Sequence, residues 1–175
     1  RLNMGLPPDA PLPPVCYGVE TRVLRVLVLL LLAVHPSLAF AHTLVVDPLA
    51  GPYTSIASAT TDAAVGDTVV LGAGTYDESI VAPRAIHFRA RSLASKPVWQ
   101  SGPRGTSLEA RAACEVDGVI FLRAGRNASH AIVCTGPELR LTRSEFRLAP
   151  EGLVSTGTAV TSNHPSVHLT IDSCL

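Results

Sequence analysis

Charged residues cluster near the end of the sequence, in a segment with the pattern of a strand. Arg140, Arg143 and Glu145 lie close together, and Asp172 follows about one repeat later. Guanidinium groups bind carboxylates, so this set could bind an acidic sugar. A solvated outer strand face accounts for the same charges and is the commoner arrangement. We therefore treat Arg140, Arg143, Glu145 and Asp172 as candidate substrate-binding residues, with the solvated face as the alternative.

The beginning of the chain is typical of a secretory leader. Arg22 and Arg25 precede an apolar run from Val26 to Val34, and small residues follow at Ala39 and Ala41. A membrane-spanning helix needs about 20 apolar residues, so a permanent transmembrane anchor is the weaker alternative for a run of this length. We expect residues 1–41 to be a leader and signal peptide cleaved after Ala41, which predicts a secreted or cell-surface protein without a stable membrane span in its mature part.

A secreted location changes the interpretation of the cysteines and of one asparagine. Cys114, Cys134 and Cys174 are candidates for a disulfide, because thiols oxidise in the secretory pathway. Their odd number leaves one thiol free or paired outside this sequence. Asn127 opens an Asn-Ala-Ser sequon and is a candidate glycosylation site. The histidine and cysteine spacings indicate no metal site.

The composition excludes several classes of protein. The chain has 175 residues, 47% of them hydrophobic and 16% charged, with a formal net charge of zero. These values argue against a disordered chain and against a nucleic-acid-coating protein. Because the chain opens on Arg1 and stops at Leu175 within a predicted strand, we expect it to be a fragment, truncated at its C-terminus.

The part after the leader reads as an all-β pattern with one helix. Short runs rich in β-branched residues alternate with turn residues. The predicted strands are Thr43 to Val46, Thr68 to Leu71, Ser79 to Val81, Ala85 to Phe88, Val116 to Leu122, Ala131 to Cys134, Leu139 to Leu141 and Val167 to Ile171. The helix is predicted over Ser55 to Val65, with Gly66 after it. We read Trp99 as lying in a loop and Asp117, before Gly118, as a turn residue.

The strands recur with a period of 25 to 28 residues. A shift of 28 aligns Ile132 with Val160 and Leu141 with Leu169, and places Arg140 and His168 at one outward position. A shift of 25 aligns Leu141 with Val116. Repeats of this length without a helix in each unit predict a β-solenoid. We place its N-terminal cap at residues 53–66, its coils from about residue 67, and the whole domain at residues 42–175.

Three short motifs stand at the start of this domain. They are Tyr53-Thr54-Ser55-Ile56, Gly66-Asp67-Thr68-Val69 and Gly74-Thr75-Tyr76-Asp77-Glu78-Ser79-Ile80. They resemble the N-terminal signature of right-handed parallel β-helix proteins of the pectin lyase-like superfamily, especially pectin methylesterases. The resemblance implies a right-handed parallel β-helix with a short N-terminal capping helix. It also implies structural roles for Tyr53, Gly66, Asp67, Gly74, Tyr76 and Glu78.

The catalytic motifs of that family are not found in this sequence. His130 stands where pectin methylesterases have a glutamine, and no aspartate occurs from Arg147 to Glu151, where their first catalytic aspartate belongs. The catalytic residues are therefore unknown. If the protein is an enzyme, the resemblance implies a carbohydrate-active lyase, esterase or hydrolase. No cofactor is evident, and calcium is expected only for a lyase.

The function predicted from these observations is binding, with processing in an enzymatic version, of a polysaccharide or cell-surface glycan. The alternative is a non-catalytic adhesive or structural solenoid that presents an extended face to a partner. We predict no nucleic-acid partner.

Overall fold

The computed structural model describes residues 40–101, 105–123, 130–148, 158–163 and 166–175. These residues form a β-solenoid of about four turns, built from parallel sheets with one short helix. The predicted all-β parallel β-helix is therefore confirmed. Within these ranges no helix is both long and apolar enough to span a membrane. The leader and Asn127 lie outside the described residues.

Each complete coil contributes one strand to each of three sheets in turn, and sheet A has one further strand at each end. Sheet A contains β1 (Thr43–Val46), β2 (Thr68–Leu71), β5 (Ile86–Ala90), β8 (Cys114–Asp117), β11 (Glu138–Thr142) and β14 (His168–Asp172). Sheet B contains β3 (Thr75–Asp77), β6 (Val98–Gln100), β9 (Ile120–Arg123) and β12 (Glu145–Leu148). Sheet C contains β4 (Ile80–Ala82), β7 (Leu108–Ala110), β10 (Ile132–Cys134) and β13 (Val160–Ser162).

The strand register confirms one repeat shift and corrects the other. Leu141 pairs with Val116, as the shift of 25 predicts. Ile132 pairs with Val160, as the shift of 28 predicts. The shift of 28 is wrong for the next strand, where Leu141 pairs with Ile171. The reason is a longer connection before β14, which spans residues 163–167 where the previous coil has only 135–137.

The same offset overturns the predicted outward pairing of Arg140 with His168. Arg140 pairs with Thr170, and His168 pairs with Glu138. Sequence alignment without gaps could not detect the change, because a two-residue insertion keeps inward positions inward.

The sequence did not predict several of the short strands, and one predicted strand is two separate strands in the structure. Val116 to Leu122 is not continuous, since Gly118 takes a left-handed conformation (φ 72°) between β8 and β9. The strands β3, β6, β7, β12 and β13 have only three or four residues each, too few to establish an alternating pattern. The predicted loop at Trp99 is wrong, because Trp99 lies within β6 and is fully buried.

An aromatic column explains the burial of Trp99. In sheet B the register places Tyr76, Trp99, Phe121 and Phe146 at one inward position of successive coils. The ring centroids of Trp99 and Phe121 are 5.6 Å apart, and those of Phe121 and Phe146 are 5.3 Å apart. Each such pair contributes about 0.5–1.5 kcal/mol beyond the burial of its area. This column therefore stabilises the stacking of successive coils.

The helix α1 (Ile56–Asp62) packs over β1, β2 and β4 at the start of the solenoid. Ser55 is its N-cap, and Ile56 and Ala59 are buried against the core. It ends at Asp62 rather than at Val65, because Ala63 is already extended. A terminal element of this kind covers apolar core that would otherwise be exposed.

Two side chains from the following coil hold α1 at its ends. The carboxylate of Glu78 accepts hydrogen bonds from the amides of Ile56 (2.9 Å) and Ala57 (2.8 Å). The guanidinium of Arg84 donates to the carbonyl oxygen of Ala63. A negative group at the N-terminus and a positive group at the C-terminus both complement the helix dipole. Glu78 therefore joins the N-terminus of α1 to the next coil.

The other signature residues also make structural contacts. Asp67 is buried and accepts hydrogen bonds from the amides of His42 and Ala64, both at 2.7 Å, which lower its pKa. Tyr53 forms a β-bridge with Val46, and the Gly66 amide donates to the carbonyl oxygen of Ala85. The Tyr76 hydroxyl donates to the carbonyl oxygen of Gly72. A Cβ on Gly74 would lie 2.7 Å from Pro48 Cγ, so this position has no room for a side chain.

Candidate binding groove on sheet A

The outer face of sheet A carries two columns of side chains, all of them polar except Val70. The register puts Thr68, His87, Glu115, Arg140 and Thr170 at one outward position of successive strands. The second column contains Val70, Arg89, Asp117, Thr142 and Asp172. Neighbouring strands are about 4.8 Å apart, so each side chain is in reach of those above and below it.

A groove of about 370 Å³ crosses these columns. Its polar lining consists of Thr68, His87, Arg89, Glu115, Asp117 and Arg143. Three strands and the bend after β11 supply these residues, so the groove exists only because the coils are stacked. It runs across the strands, in the direction in which the coils follow each other.

Asp117 is the most buried charged group of the groove, with a side chain that is only 10% exposed. It accepts hydrogen bonds from Arg143 Nε and from the Thr142 hydroxyl, both at 2.8 Å. Burial raises the pKa of Asp117, but these bonds and the charges of Arg143 and Arg89 outweigh burial and hold the pKa below its ordinary value. Asp117 is therefore an ionised carboxylate at neutral pH.

Glu115 lies between two basic side chains of the first column. Its Oε2 is 3.1 Å from His87 Nδ1, and its Oε1 is 3.8 Å from Arg140 Nε. These groups are partly exposed, so solvent and salt weaken the attraction between them.

Arg89 differs from the other arginines of the groove. Arg143 pairs with Asp117 and Arg140 with Glu115, whereas Arg89 forms no hydrogen bond or ion pair with any residue that the structure describes. It is exposed, and its charge acts on Asp117 without direct contact. Its guanidinium donors are free to bind an anionic group.

The structure separates the four predicted site residues. Arg143 lines the groove, whereas Arg140 is not part of the lining and lies beside it, with its Nε 3.8 Å from Glu115 Oε1. Glu145 lies beyond the bend on sheet B, where Lys96 Nζ (2.8 Å) and Arg147 pair with it, and both oppose burial to lower its pKa. Asp172 continues the second column on β14.

The sequence alone did not identify four residues of the groove, which are Thr68, His87, Arg89 and Glu115. It also read Asp117 as a turn residue, but Asp117 ends β8 with its side chain in the groove. The signal available was the i, i+2 spacing of charged residues in β5 and β8. Only the register between the two strands brings these pairs together.

The three candidate disulfide cysteines are free thiols in the structure. Cys114 and Cys134 are buried, and burial raises the pKa of Cys114 to about 11. Cys174 is partly exposed. A disulfide among them stays a prediction. Among the described residues there is no cluster of three or more side chains suited to hold a metal ion.

Comparisons of the chain with models of protein families, with curated proteins and with solved structures give no match. The likeness to the pectin lyase-like superfamily is therefore a prediction from the motifs alone, and the β-solenoid is what the structure supports.

Proposed function

We propose that this protein binds an acidic polysaccharide along the groove of sheet A. The observation that carries the proposal is Arg89, a guanidinium without a partner among the described residues, set in a groove that crosses successive coils. A repeating polymer that runs along the stack meets the hydroxyl of Thr68, the imidazole of His87 and the guanidinium of Arg89. Arginine donates two parallel hydrogen bonds to a sugar carboxylate.

Binding fits the electrostatics of the groove better than bond cleavage does. A general acid at neutral pH needs a raised pKa, and a general base works best with a pKa near the working pH. Asp117 has a lowered pKa, because Arg143 and Thr142 donate to it. The carboxylate is thus suited to orient Arg143 and to accept from ligand hydroxyls.

The proposed place of action is outside the cell. It is supported by the basic residues and apolar run of the leader, and by the likeness of the motifs at Tyr53, Gly66 and Gly74 to secreted carbohydrate-active proteins. Expression in a secreting host followed by N-terminal sequencing of the product tests it. A mature chain that begins at His42 is the expected result, and retention of the uncleaved chain in the cell contradicts it.

The ligand is tested by titration calorimetry of the full chain with polygalacturonate, with its methyl ester and with a neutral glucan. We expect binding to polygalacturonate alone, weakened by salt because the contacts are ionic. Arg89→Gln removes a charged hydrogen-bond donor and should weaken binding about tenfold. Arg91→Gln is the matched control, because Arg91 pairs with Asp47 outside the groove. Equal losses in both variants, or equal affinity for all three polymers, would contradict the proposal.

The alternative function is a non-catalytic solenoid that presents its face to a protein or another partner. Its supporting observation is the outer face of sheet A, on which two columns of side chains extend over successive coils. Absence of binding to any of the three polymers favours this alternative.

A further inference from the structure

The loop between β5 and β6 lies over the bend that follows β8. A Cβ on Gly118 would lie 2.5 Å from Leu93 Cδ2 and 3.1 Å from Ala90 Cβ, so the loop closely covers this glycine. From the same loop, Lys96 reaches the next bend up the stack. Its Nζ donates to the carbonyl oxygen of Arg143 and to Glu145 Oε1, both at 2.8 Å.

Arg143 has a backbone conformation that needs support. Its φ of 50° is in the left-handed region, which is unfavourable for a residue with a Cβ. Its amide donates to the carbonyl oxygen of Asp172 at 3.0 Å, and its own carbonyl oxygen accepts from Lys96. Both peptide groups of Arg143 are thereby fixed. The side chain leaves this fixed backbone towards Asp117 in the groove.

The Lys96 side chain is only 19% exposed and lies on the sheet B side of the bend. It is not part of the groove lining. Its contact with a residue of the groove lining is the hydrogen bond to the carbonyl oxygen of Arg143.

We propose that Lys96 is a positioning residue for the groove: it holds the Arg143 backbone in its left-handed conformation and so directs the guanidinium onto Asp117. The part of this inference that concerns ligand binding rests on the proposed function. The part that concerns the Arg143 and Asp117 pair does not, and it is measured without any ligand.

The test uses the pKa of Asp117, followed by NMR titration of its side-chain carboxyl carbon in the full chain. Arg143, Thr142 and Arg89 act on this carboxylate, and Glu115 and His87 line the same groove. If Lys96→Met releases Arg143, the pKa of Asp117 rises towards its ordinary value. A residue that only supports the fold would lower stability without changing this titration.

Arg147→Met is the matched control. Arg147 pairs with Glu145, as Lys96 does, but it has no hydrogen bond to the Arg143 carbonyl. We expect the pKa of Asp117 to be unchanged in this variant. It should also be unchanged in Lys96→Arg, which keeps a charged hydrogen-bond donor. An unchanged pKa in Lys96→Met, or equal shifts in Lys96→Met and Arg147→Met, overturns the inference.

A second route avoids any failure of Lys96→Met to fold. Lys96 is the only lysine of the chain, so acetylation of the folded protein neutralises this one side chain. Acetylated Lys96→Arg protein controls for reaction at the N-terminal amine. The pKa of Asp117 should rise only in the acetylated parent chain, and the same pKa in both proteins overturns the inference.

Titration with polygalacturonate separates the two proposals. About a tenfold loss of affinity in Lys96→Met, with full affinity in Arg147→Met, extends the role of Lys96 to the ligand. If the parent chain binds no polygalacturonate but the Asp117 pKa still rises in Lys96→Met, the proposed function fails and the positioning role stands. If Lys96→Met and the parent chain bind polygalacturonate with equal affinity, the part of the inference that concerns ligand binding is overturned.

Discussion

Gly118 and Arg143 occupy the same position of successive coils and share a left-handed backbone, with φ of 72° and 50°. Ser173 repeats the conformation one coil further on, with φ of 52°. The residue that follows the sheet A strand therefore has the same left-handed conformation in three coils, although its type differs each time. At Gly118 and Arg143 the chain bends, so that the residues before the bend lie on sheet A and those after it lie on sheet B.

Gly118 should not tolerate a side chain. Gly118→Ala adds the cost of a left-handed backbone, about 1–2 kcal/mol, and a clash with Leu93 Cδ2 2.5 Å away. We expect a loss of about 2–3 kcal/mol in the free energy of unfolding. Urea denaturation followed by circular dichroism measures it. Ser173→Ala is the control, since that position already carries a Cβ in the same conformation, and an equal loss there contradicts the assignment.

Asp117 should make stability depend on pH in the acid range. Because its pKa is lower in the folded protein than in the unfolded chain, its ionised carboxylate stabilises the fold at neutral pH. This contribution is present above the unfolded pKa of about 3.9 and is lost as the pH falls from there through the folded pKa. Asp117→Asn should lower the free energy of unfolding by about 1 kcal/mol at pH 7.

The measurement for Asp117→Asn is a series of urea denaturations between pH 7 and pH 2.5. The difference between variant and parent should shrink as the pH falls below about 4. Asp172→Asn serves as the control on the exposed strand β14 and should change little. A difference that is constant over the whole range would show that Asp117 does not titrate with a lowered pKa.

The sequence was sufficient for the architecture but not for the groove. The alternation of apolar residues in β2, β5 and β11 predicts inward faces, because burial of one face fixes the phase of each strand. It does not predict the register across coils, which depends on the lengths of connections such as 163–167. His87 lies beside Glu115 only through that register. For the same reason no local pattern marked Arg89 and Asp117 as neighbours.

Glu78 should matter for stability through α1 and not through catalysis. Glu78→Ala leaves the amides of Ile56 and Ala57 without their acceptor. Loss of a capping group costs about 1–2 kcal/mol. We expect a lower thermal midpoint and a tendency to aggregate as the first coil becomes exposed. Light scattering during a thermal scan measures both, with the exposed Glu138→Ala as control, and equal behaviour of the two variants contradicts the capping role.

Leu141 and Leu169 look equivalent in the sequence, where both are inward residues of a repeat, but the structure separates them. Leu141 is fully buried between Val116 and Ile171, whereas Leu169 is 42% exposed on β14. Leu141→Asp places a carboxylate in the apolar stack at a cost of several kcal/mol and should abolish soluble folding. Leu169→Asp keeps partial contact with water and should yield folded protein. Soluble expression and circular dichroism of the two variants measure this, and the same outcome for both contradicts the register of β14.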